Sequence, residues 1–198
     1  VDKGVEALTA VNAALGADKA LIESVRVFDQ FTGDKAEAQM GAGRKSIALT
    51  VRLHFTNIDA RTQPVGLGWH PYFPKRSRSR MHVECSGRWE SDPSTHLPTR
   101  RVAQNGIDGE LRHLNYDHCF DGWQGAARVR DEALSVSLTS SLPYMVVYTP
   151  PDSDYFCIEP VSHVSNAIHM ADPAAHGLVS LGAAETMDAW MKIEVHGA

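Results

Sequence analysis

The sequence predicts a mainly β protein, an antiparallel sandwich preceded by a short α/β segment. Three observations lead to this fold class. From Lys45 to Asn57 apolar and polar residues alternate, which is the period of a half-buried strand. After residue 60, short runs of strand-type residues are separated by Gly/Pro turns, which is typical of a sandwich. Helical spacing of apolar residues occurs near the beginning of the chain.

The N-terminal segment predicts a helix followed by a β-hairpin. The helix has an apolar face and ends at Gly16, a common residue after a helix C-terminus. That face consists of Val5, Leu8, Val11 and Leu15. A strand over Leu21–Phe31, a polar loop and the alternating stretch from Lys45 complete the hairpin.

Further strands are predicted along the rest of the chain. The clearest candidates are Met81–Glu90, Leu134–Ser140, Tyr144–Thr149, Asp154–Glu159 and Met187–Val195. The fourth of these ends in a carboxylate directly before a proline. Between them, the basic stretch Lys75–Arg80 predicts a solvated loop, with an anion site as the alternative.

The composition of the chain limits the kinds of molecule that it is expected to bind. Nineteen Lys and Arg against 24 Asp and Glu give a net charge of −5, which argues against a broad nucleic-acid surface. No apolar run approaches the roughly 18 residues of a membrane span. Three widely spaced cysteines, and no apparent signal peptide, indicate reduced thiols in the cytoplasm. The pairs His82/Cys85 and His118/Cys119 lack zinc-finger spacing, so we predict no metal.

Three residues are candidates for acid–base chemistry, each with a structural alternative. His70 lies among aromatic residues and could donate a proton, or be merely structural. Asp117 occupies a turn-like position, where aspartate is often a cap. Glu159 ends an apolar strand, so its carboxylate is either paired or raised in pKa, and both suit a general base.

The first part of the chain resembles a known RNA-binding module. The sequence ALGADKALIESVRVFDQFTGDK, followed by GAGRKSIALTVRL, resembles the anticodon-binding domain of the bacterial phenylalanyl-tRNA synthetase β subunit. The resemblance covers residues 1–53 and implies part of a ferredoxin-like fold. Residues 1–55 carry seven basic and seven acidic side chains, so tRNA binding is not expected.

The rest of the chain resembles the C-terminal half of aldose 1-epimerases, the galactose mutarotases. The resemblance is carried, in order, by FTNIDARTQPVGLGWHPYFP, LNYDHCFDGWQG, MVVYTPPDSDYFCIEPVSHVSNAIHM and GLVSLGAAETMDAWMKIEV. It implies that His70 is the general acid at the sugar ring oxygen and Glu159 the general base at the anomeric hydroxyl. It also implies that Asp117 binds a sugar hydroxyl and that Trp69 and Tyr72 offer apolar faces to the sugar. No cofactor is implied.

Together, the resemblances imply a fusion. Residues 1–53 would be a partial ferredoxin-like segment, and residues 54–198 a truncated galactose-mutarotase-like β-supersandwich. The family's N-terminal half supplies an arginine or asparagine and a further histidine to the sugar site, and residues 1–55 do not match it. The expected function is therefore anomer interconversion of a hexose, impaired by truncation. The alternatives are a non-catalytic sugar-binding remnant, a tRNA-binding fragment and a chimera without function. Exposed sheet edges also predict self-association.

Overall fold

The computed structural model describes residues 46–197, and these residues form two antiparallel six-stranded sheets packed face to face. The predicted helix and the strand Leu21–Phe31 lie outside the described residues. No helix in the described range is long and apolar enough to span a membrane.

The first sheet contains the two longest strands among residues 46–197. In spatial order its strands are Ser46–Thr56 (β1), Thr186–Gly197 (β14), Leu134–Ser140 (β10), Ala126–Arg130 (β9), Arg80–Val83 (β4) and Ile107–Glu110 (β7). Strand β1 pairs along its full length with β14 and, among the described residues, lies at the edge of the sheet. It confirms the alternating strand predicted from Lys45 and crosses the predicted domain boundary at residues 53–54 without a break.

The second sheet carries the candidate site residues. In spatial order its strands are Tyr72–Pro74 (β3), Tyr155–Val161 (β12), Tyr144–Tyr148 (β11), Asp117–Asp121 (β8), Gly87–Ser91 (β5) and Pro98–Ala103 (β6). A small separate sheet pairs β2 with β13, and their bounds are Gln63–Val65 and Val179–Leu181. Three short 3-10 helices complete the described elements, at Leu111–His113, Ala167–His169 and Ala174–His176.

The core lies between the two large sheets, because alternate residues of each strand point into the same layer. The first sheet contributes aliphatic side chains, and the second sheet contributes three phenylalanines together with aliphatic side chains. The buried core residues include Met81, Val83, Val129, Leu138 and Met191 from the first sheet and Phe73, Phe120, Val147, Phe156 and Ile158 from the second. The opposite face of the second sheet therefore points away from this core, and the candidate active site lies on that face.

Three sequence predictions about these elements were wrong. Met81–Glu90 is not one strand but two, β4 and β5, which lie in different sheets. The chain passes between the sheets at Glu84–Ser86, where the N–H of Ser86 bonds to the carbonyl oxygen of Asp121 at 3.0 Å. Asp117 lies not in a turn but at the start of β8.

The third correction concerns Glu159, which lies inside β12 rather than at its end. The strand continues through Pro160 because the carbonyl of this proline accepts a hydrogen bond from Trp69 on the side away from β11. In a strand, the N–H and C=O of one residue point to the same side. The N–H that proline lacks is therefore not needed for pairing with β11.

Candidate active site

Two of the predicted residues, His70 and Glu159, are in contact. Nε2 of His70 lies 3.2 Å from Oε1 of Glu159. The His70 side chain is 53% exposed and that of Glu159 only 12%. One member of the pair is therefore open to a ligand, while the other is held in the protein.

Backbone hydrogen bonds hold the segment that carries His70 against the end of β12. The N–H of Trp69 donates to the carbonyl oxygen of Pro160 at 3.0 Å, and Gly68 forms a β-bridge with Val161. Two further bonds, between Leu67 and Ser162, fix the start of the segment. Because Trp69 and Pro160 are the chain neighbours of His70 and Glu159, this pairing brings the two side chains together.

Tyr72 and Asp117 lie on the same face of the second sheet as Glu159. Tyr72 of β3, Cys157 of β12, Tyr148 of β11 and Asp117 of β8 are opposite one another in successive strands. Residues opposite one another in a sheet share a face, and Glu159 follows Cys157 by two positions, so it shares this face too. Asp117 and Cys157 are two strand spacings apart, roughly 10 Å. We call this side of the sheet the site face.

Tyr72 is the most accessible aromatic residue of the site face, with 63% of its surface exposed. Its ring stacks on the His70 imidazole, with 4.8 Å between the ring centroids and an angle of 19° between the planes. The stacking supports the orientation of the imidazole, and the exposed ring offers an apolar surface beside it.

Trp69, which was predicted to offer an apolar face to the sugar, packs against the core of the sandwich. Its ring is partly buried and packs against the main core. Its indole N–H is buried and has no hydrogen-bond partner among the described residues. The structure therefore brings together His70, Glu159, Tyr72 and Asp117, and gives Trp69 a packing role.

Sequence reasoning missed Tyr148, Tyr155 and Cys157 as members of the site face. Tyr155 lies next to Tyr72, with ring centroids 5.2 Å apart, and Tyr148 lies next to Tyr155 at 6.3 Å. The signal was present in β12, where Tyr155 and Cys157 precede Glu159 at a spacing of two. Tyr148 could be placed only once the pairing of β11 with β12 was known.

The far half of the site face is covered. The segment that follows β12 packs Val164 and Met170 against Trp89, Cys119 and neighbouring residues of the sheet. Beside this cluster, Asp121 accepts hydrogen bonds from Nε1 of Trp89 at 3.0 Å and from Nε of Arg101 at 2.7 Å. The open part of the face is therefore the half around His70, Tyr72 and Glu159.

The electrostatic surroundings of Glu159 suit a general base. Burial raises the pKa of its carboxyl above the ordinary range, and the nearby Asp117 raises that pKa further. The adjacent His70 acts in the opposite direction. A carboxylate whose pKa is raised is a stronger base when ionised, so it accepts a proton more readily.

One group of side chains has the composition of a metal site. A ring nitrogen of His70, Sγ of Cys157 and a carboxylate oxygen of Glu159 lie within 4.8 Å of one another. Neither His82/Cys85 nor His118/Cys119 belongs to such a group of three in the described part of the chain.

Three of the four cationic side chains in the basic stretch Lys75–Arg80 interact with neighbouring groups. Nε of Arg76 lies 3.3 Å from a carboxylate oxygen of Asp131, and Arg80 forms a 3.0 Å ion pair with Asp108. Nζ of Lys75 donates to the carbonyl oxygens of Pro150 and Pro151. These interactions leave less positive charge for an anion, which favours the predicted solvated loop over the anion site.

Comparison with solved structures finds the same fold in known proteins. An Escherichia coli K12 protein crystallised as a candidate aldose 1-epimerase superimposes with a TM-score of 0.67 at 24% identity, covering 85% of this chain and 63% of that one. A galactose mutarotase-like protein from Clostridium acetobutylicum gives 0.66 at 18% identity, covering 87% and 62%. These similarities confirm the predicted mutarotase-like sandwich.

Comparison with curated sequences finds two kinds of relative. The uncharacterized protein YphB of Escherichia coli K12 is 29% identical in a 165-residue alignment that covers 74% of this chain and 56% of YphB. The phenylalanine–tRNA ligase β subunit of Cereibacter sphaeroides is 82% identical over 57 residues, 29% of this chain and 7% of the ligase. The chain thus spans about half of one relative and a small part of the other, which agrees with the fusion that the sequence implies.

A family model supplies the assignment. The aldose 1-epimerase model matches residues 43–194, which is most of the chain and includes every strand from β1 to β13 and most of β14. His70, Tyr72, Asp117 and Glu159 all lie within this match. The chain therefore belongs to the aldose 1-epimerase family.

Proposed function

We propose that the chain interconverts the α and β anomers of an aldohexose, with His70 as general acid and Glu159 as general base. The observation that carries the proposal is the 3.2 Å contact between Nε2 of His70 and Oε1 of Glu159 on the open half of the site face. In a cyclic sugar, the ring oxygen and the anomeric hydroxyl oxygen are both bonded to C1. An acid and a base that serve both oxygens must therefore lie close together.

The proton transfers balance. Glu159 takes the proton of the anomeric hydroxyl as the C1–O1 bond becomes a carbonyl and the bond from C1 to the ring oxygen breaks. His70 gives a proton to the departing ring oxygen. The open aldehyde then rotates about the C1–C2 bond, and the two transfers run in reverse as the ring closes on the other face of the carbonyl. Both side chains return to their starting states.

Other residues of the site face suit sugar binding. The exposed ring of Tyr72, beside the pair, offers an apolar surface to the C–H face of a pyranose. The exposed carboxylate of Asp117 can accept hydrogen bonds from sugar hydroxyls. The chain spans 56% of YphB and 63% of the Escherichia coli structure. Catalysis of the complete reaction by this chain is therefore proposed here from its own site.

The test is polarimetry of freshly dissolved α-D-glucose and α-D-galactose, with the chain and with two variants. Glu159→Gln and His70→Asn should each lower the enzymatic rate by roughly 10²- to 10⁴-fold, the usual contribution of an acid or a base. Glu132→Gln is the matched control, because this exposed carboxylate lies in the turn between β9 and β10.

Failure of this test would favour the alternatives. If the chain binds a sugar but does not exceed the buffer rate, the non-catalytic sugar-binding remnant is favoured. If it binds tRNA in a salt-dependent manner and no sugar, the synthetase-like segment determines its function. Binding to neither would favour a chimera without function. Self-association and a cytoplasmic location stay predictions.

A further inference from the structure

The candidate acid–base pair has a third neighbour that anomer interconversion does not use. Cys157 lies two residues before Glu159 on β12, on the same face of the sheet, and is fully buried. Its Sγ, a ring nitrogen of His70 and a carboxylate oxygen of Glu159 lie within 4.8 Å of one another. These three donors are a sulfur, an imidazole nitrogen and a carboxylate oxygen.

We propose that His70, Cys157 and Glu159 form a binding site for a thiophilic divalent cation of the Zn²⁺ class, and that the bound cation blocks the site. The binding is independent of any sugar chemistry. The blocking of catalysis rests on the proposed function, because the cation occupies the two groups that would transfer protons.

The geometry is close to what such an ion requires. Zinc binds sulfur at about 2.3 Å and nitrogen or oxygen at about 2.1 Å, so neighbouring ligands in a tetrahedral site are roughly 3.3–3.8 Å apart. His70 and Glu159 are already 3.2 Å apart. The distances from Sγ of Cys157 to the other two donors are at most 4.8 Å, about 1 Å beyond the tetrahedral spacing, and small rotations of the three side chains can close that difference.

The backbone already arranges the donors for a shared ion. Cys157 and Glu159 are fixed at alternate positions of an interior strand, and the hydrogen bond from Trp69 to Pro160 fixes the segment that carries His70. Little further ordering is therefore needed on binding. Three protein ligands leave the fourth tetrahedral position open to water, as in zinc sites that are not purely structural.

Charge and softness define the class of ion. On binding, the Cys157 thiol loses its proton to solvent and a metal–sulfur bond forms, while the Glu159 carboxylate and neutral His70 donate lone pairs. The thiolate and the carboxylate then balance the two charges of the cation. A divalent ion also relieves the repulsion between the Glu159 and Asp117 carboxylates. The sulfur ligand selects Zn²⁺, Co²⁺ or Cd²⁺ over Mg²⁺ and Ca²⁺.

Cobalt titration of the full chain tests the binding without any sugar. Co²⁺ bound to a thiolate gives a near-ultraviolet charge-transfer band, which we expect in the wild-type chain and not in Cys157→Ser. Cys85→Ser is the matched control, because this buried cysteine lies in the crossing between the sheets, and it should keep the band. Mg²⁺ should neither produce the band nor compete for the site.

A second variant keeps the test decisive if Cys157→Ser fails to fold. His70→Ala changes an exposed side chain, so the fold should survive, and its Zn²⁺ affinity by calorimetry should fall by at least about tenfold. Absence of the band in the wild-type chain, or its persistence in Cys157→Ser, would overturn the proposal. Unchanged Zn²⁺ affinity in His70→Ala would do so as well.

Inhibition is measured separately. If the chain accelerates mutarotation, Zn²⁺ should abolish the acceleration and a chelator should restore it. A chain that gives the cobalt band but has no activity supports the metal site and contradicts the proposed function. An active chain that binds Zn²⁺ at these residues without inhibition contradicts the blocking.

Discussion

The backbone N–H of Trp69 donates a hydrogen bond to the carbonyl oxygen of Pro160 at 3.0 Å. Neither residue is proposed to touch the substrate. Each is the chain neighbour of one member of the candidate acid–base pair, so this bond sets the distance between His70 and Glu159. The placement of the pair therefore depends on how closely the segment from Gly66 to Pro71 approaches β12.

Enlarging Gly68 should disturb this approach. A Cβ at Gly68 would lie 3.0 Å from Cγ1 of Val161 and 3.2 Å from the carbonyl oxygen of Pro160, which is tighter than normal contact. Gly68→Ala should shift the segment by a few tenths of an ångström and lower the mutarotation rate by roughly two- to tenfold, since about 1 Å of misplacement can cost a hundredfold. Gly182→Ala, where the nearest neighbour is a flexible glutamate at 3.4 Å, is the control. Equal rates in the two variants would contradict the positioning role.

Removing the charge of Asp117 should shift the pH dependence of the reaction. Glu159 acts as a base only when ionised, so activity is present above its pKa and is lost as the pH falls through it. Burial and Asp117 both raise the pKa of Glu159. Asp117→Asn should therefore move the acidic limb of the kcat profile to lower pH, whatever it does to sugar binding. Asp154→Asn, in the exposed loop before β12, should leave the limb in place. A limb that stays or moves to higher pH in Asp117→Asn would refute the assignment.

Truncation of Tyr72 should affect sugar binding more than stability. The side chain is largely exposed, so Tyr72→Ala should change the free energy of unfolding by no more than about 0.5 kcal/mol. Loss of the aromatic surface should raise KM by an equivalent of about 0.5–1.5 kcal/mol, roughly two- to twelvefold. Tyr72→Phe keeps the ring and should resemble the wild-type chain in initial-rate measurements. Equal KM values for the two variants would show that the ring does not contact the sugar.

The cluster at the covered half of the site face should contribute to stability. Asp121 accepts hydrogen bonds from Trp89 and from two nitrogens of Arg101, and its side chain is only 15% exposed. Asp121→Asn should lower the free energy of unfolding by about 1–3 kcal/mol in thermal or urea unfolding, because it weakens charge-assisted bonds. Asp108→Asn removes an ion pair with Arg80 in which both side chains are exposed, and should cost only about 0–1 kcal/mol. A larger loss at Asp108 would contradict this ranking.

Prediction from the sequence succeeded where a strand carries its own pattern. β1 and β10 match the predicted strands because their period-two alternation is long and uninterrupted. It failed where the chain changes sheets within a few residues, as at Glu84–Ser86, because both strands there are short. It also ended β12 too early, since proline usually ends a strand and the reason that this one does not lies in another segment.

The candidate site was predicted only in part, because some of its members are brought together by pairing between strands that are distant in the chain. His70, Asp117 and Glu159 were singled out by their residue types and positions. The family resemblance added Tyr72, and the structure places all four on one side of the second sheet. Tyr148 and Cys157 share that side only because of the register between β11, β12 and β3, which involves residues far apart in the chain. Trp69 was predicted to offer an apolar face to the sugar, and its partly buried ring packs on the core, so contacts between distant segments decide how much of it stays accessible.

The sequence by itself determined that the chain is mainly β, where its longest strands lie and which residue types could exchange protons with a sugar. These properties are local, since alternation and side-chain chemistry depend only on residues that are close together in the sequence. Only the tertiary structure decided that His70 meets Glu159, that Cys157 lies beside them and that part of the site face is covered. Those relationships depend on strand pairing between residues up to about ninety positions apart, and pairing is set by the packing of the whole sandwich.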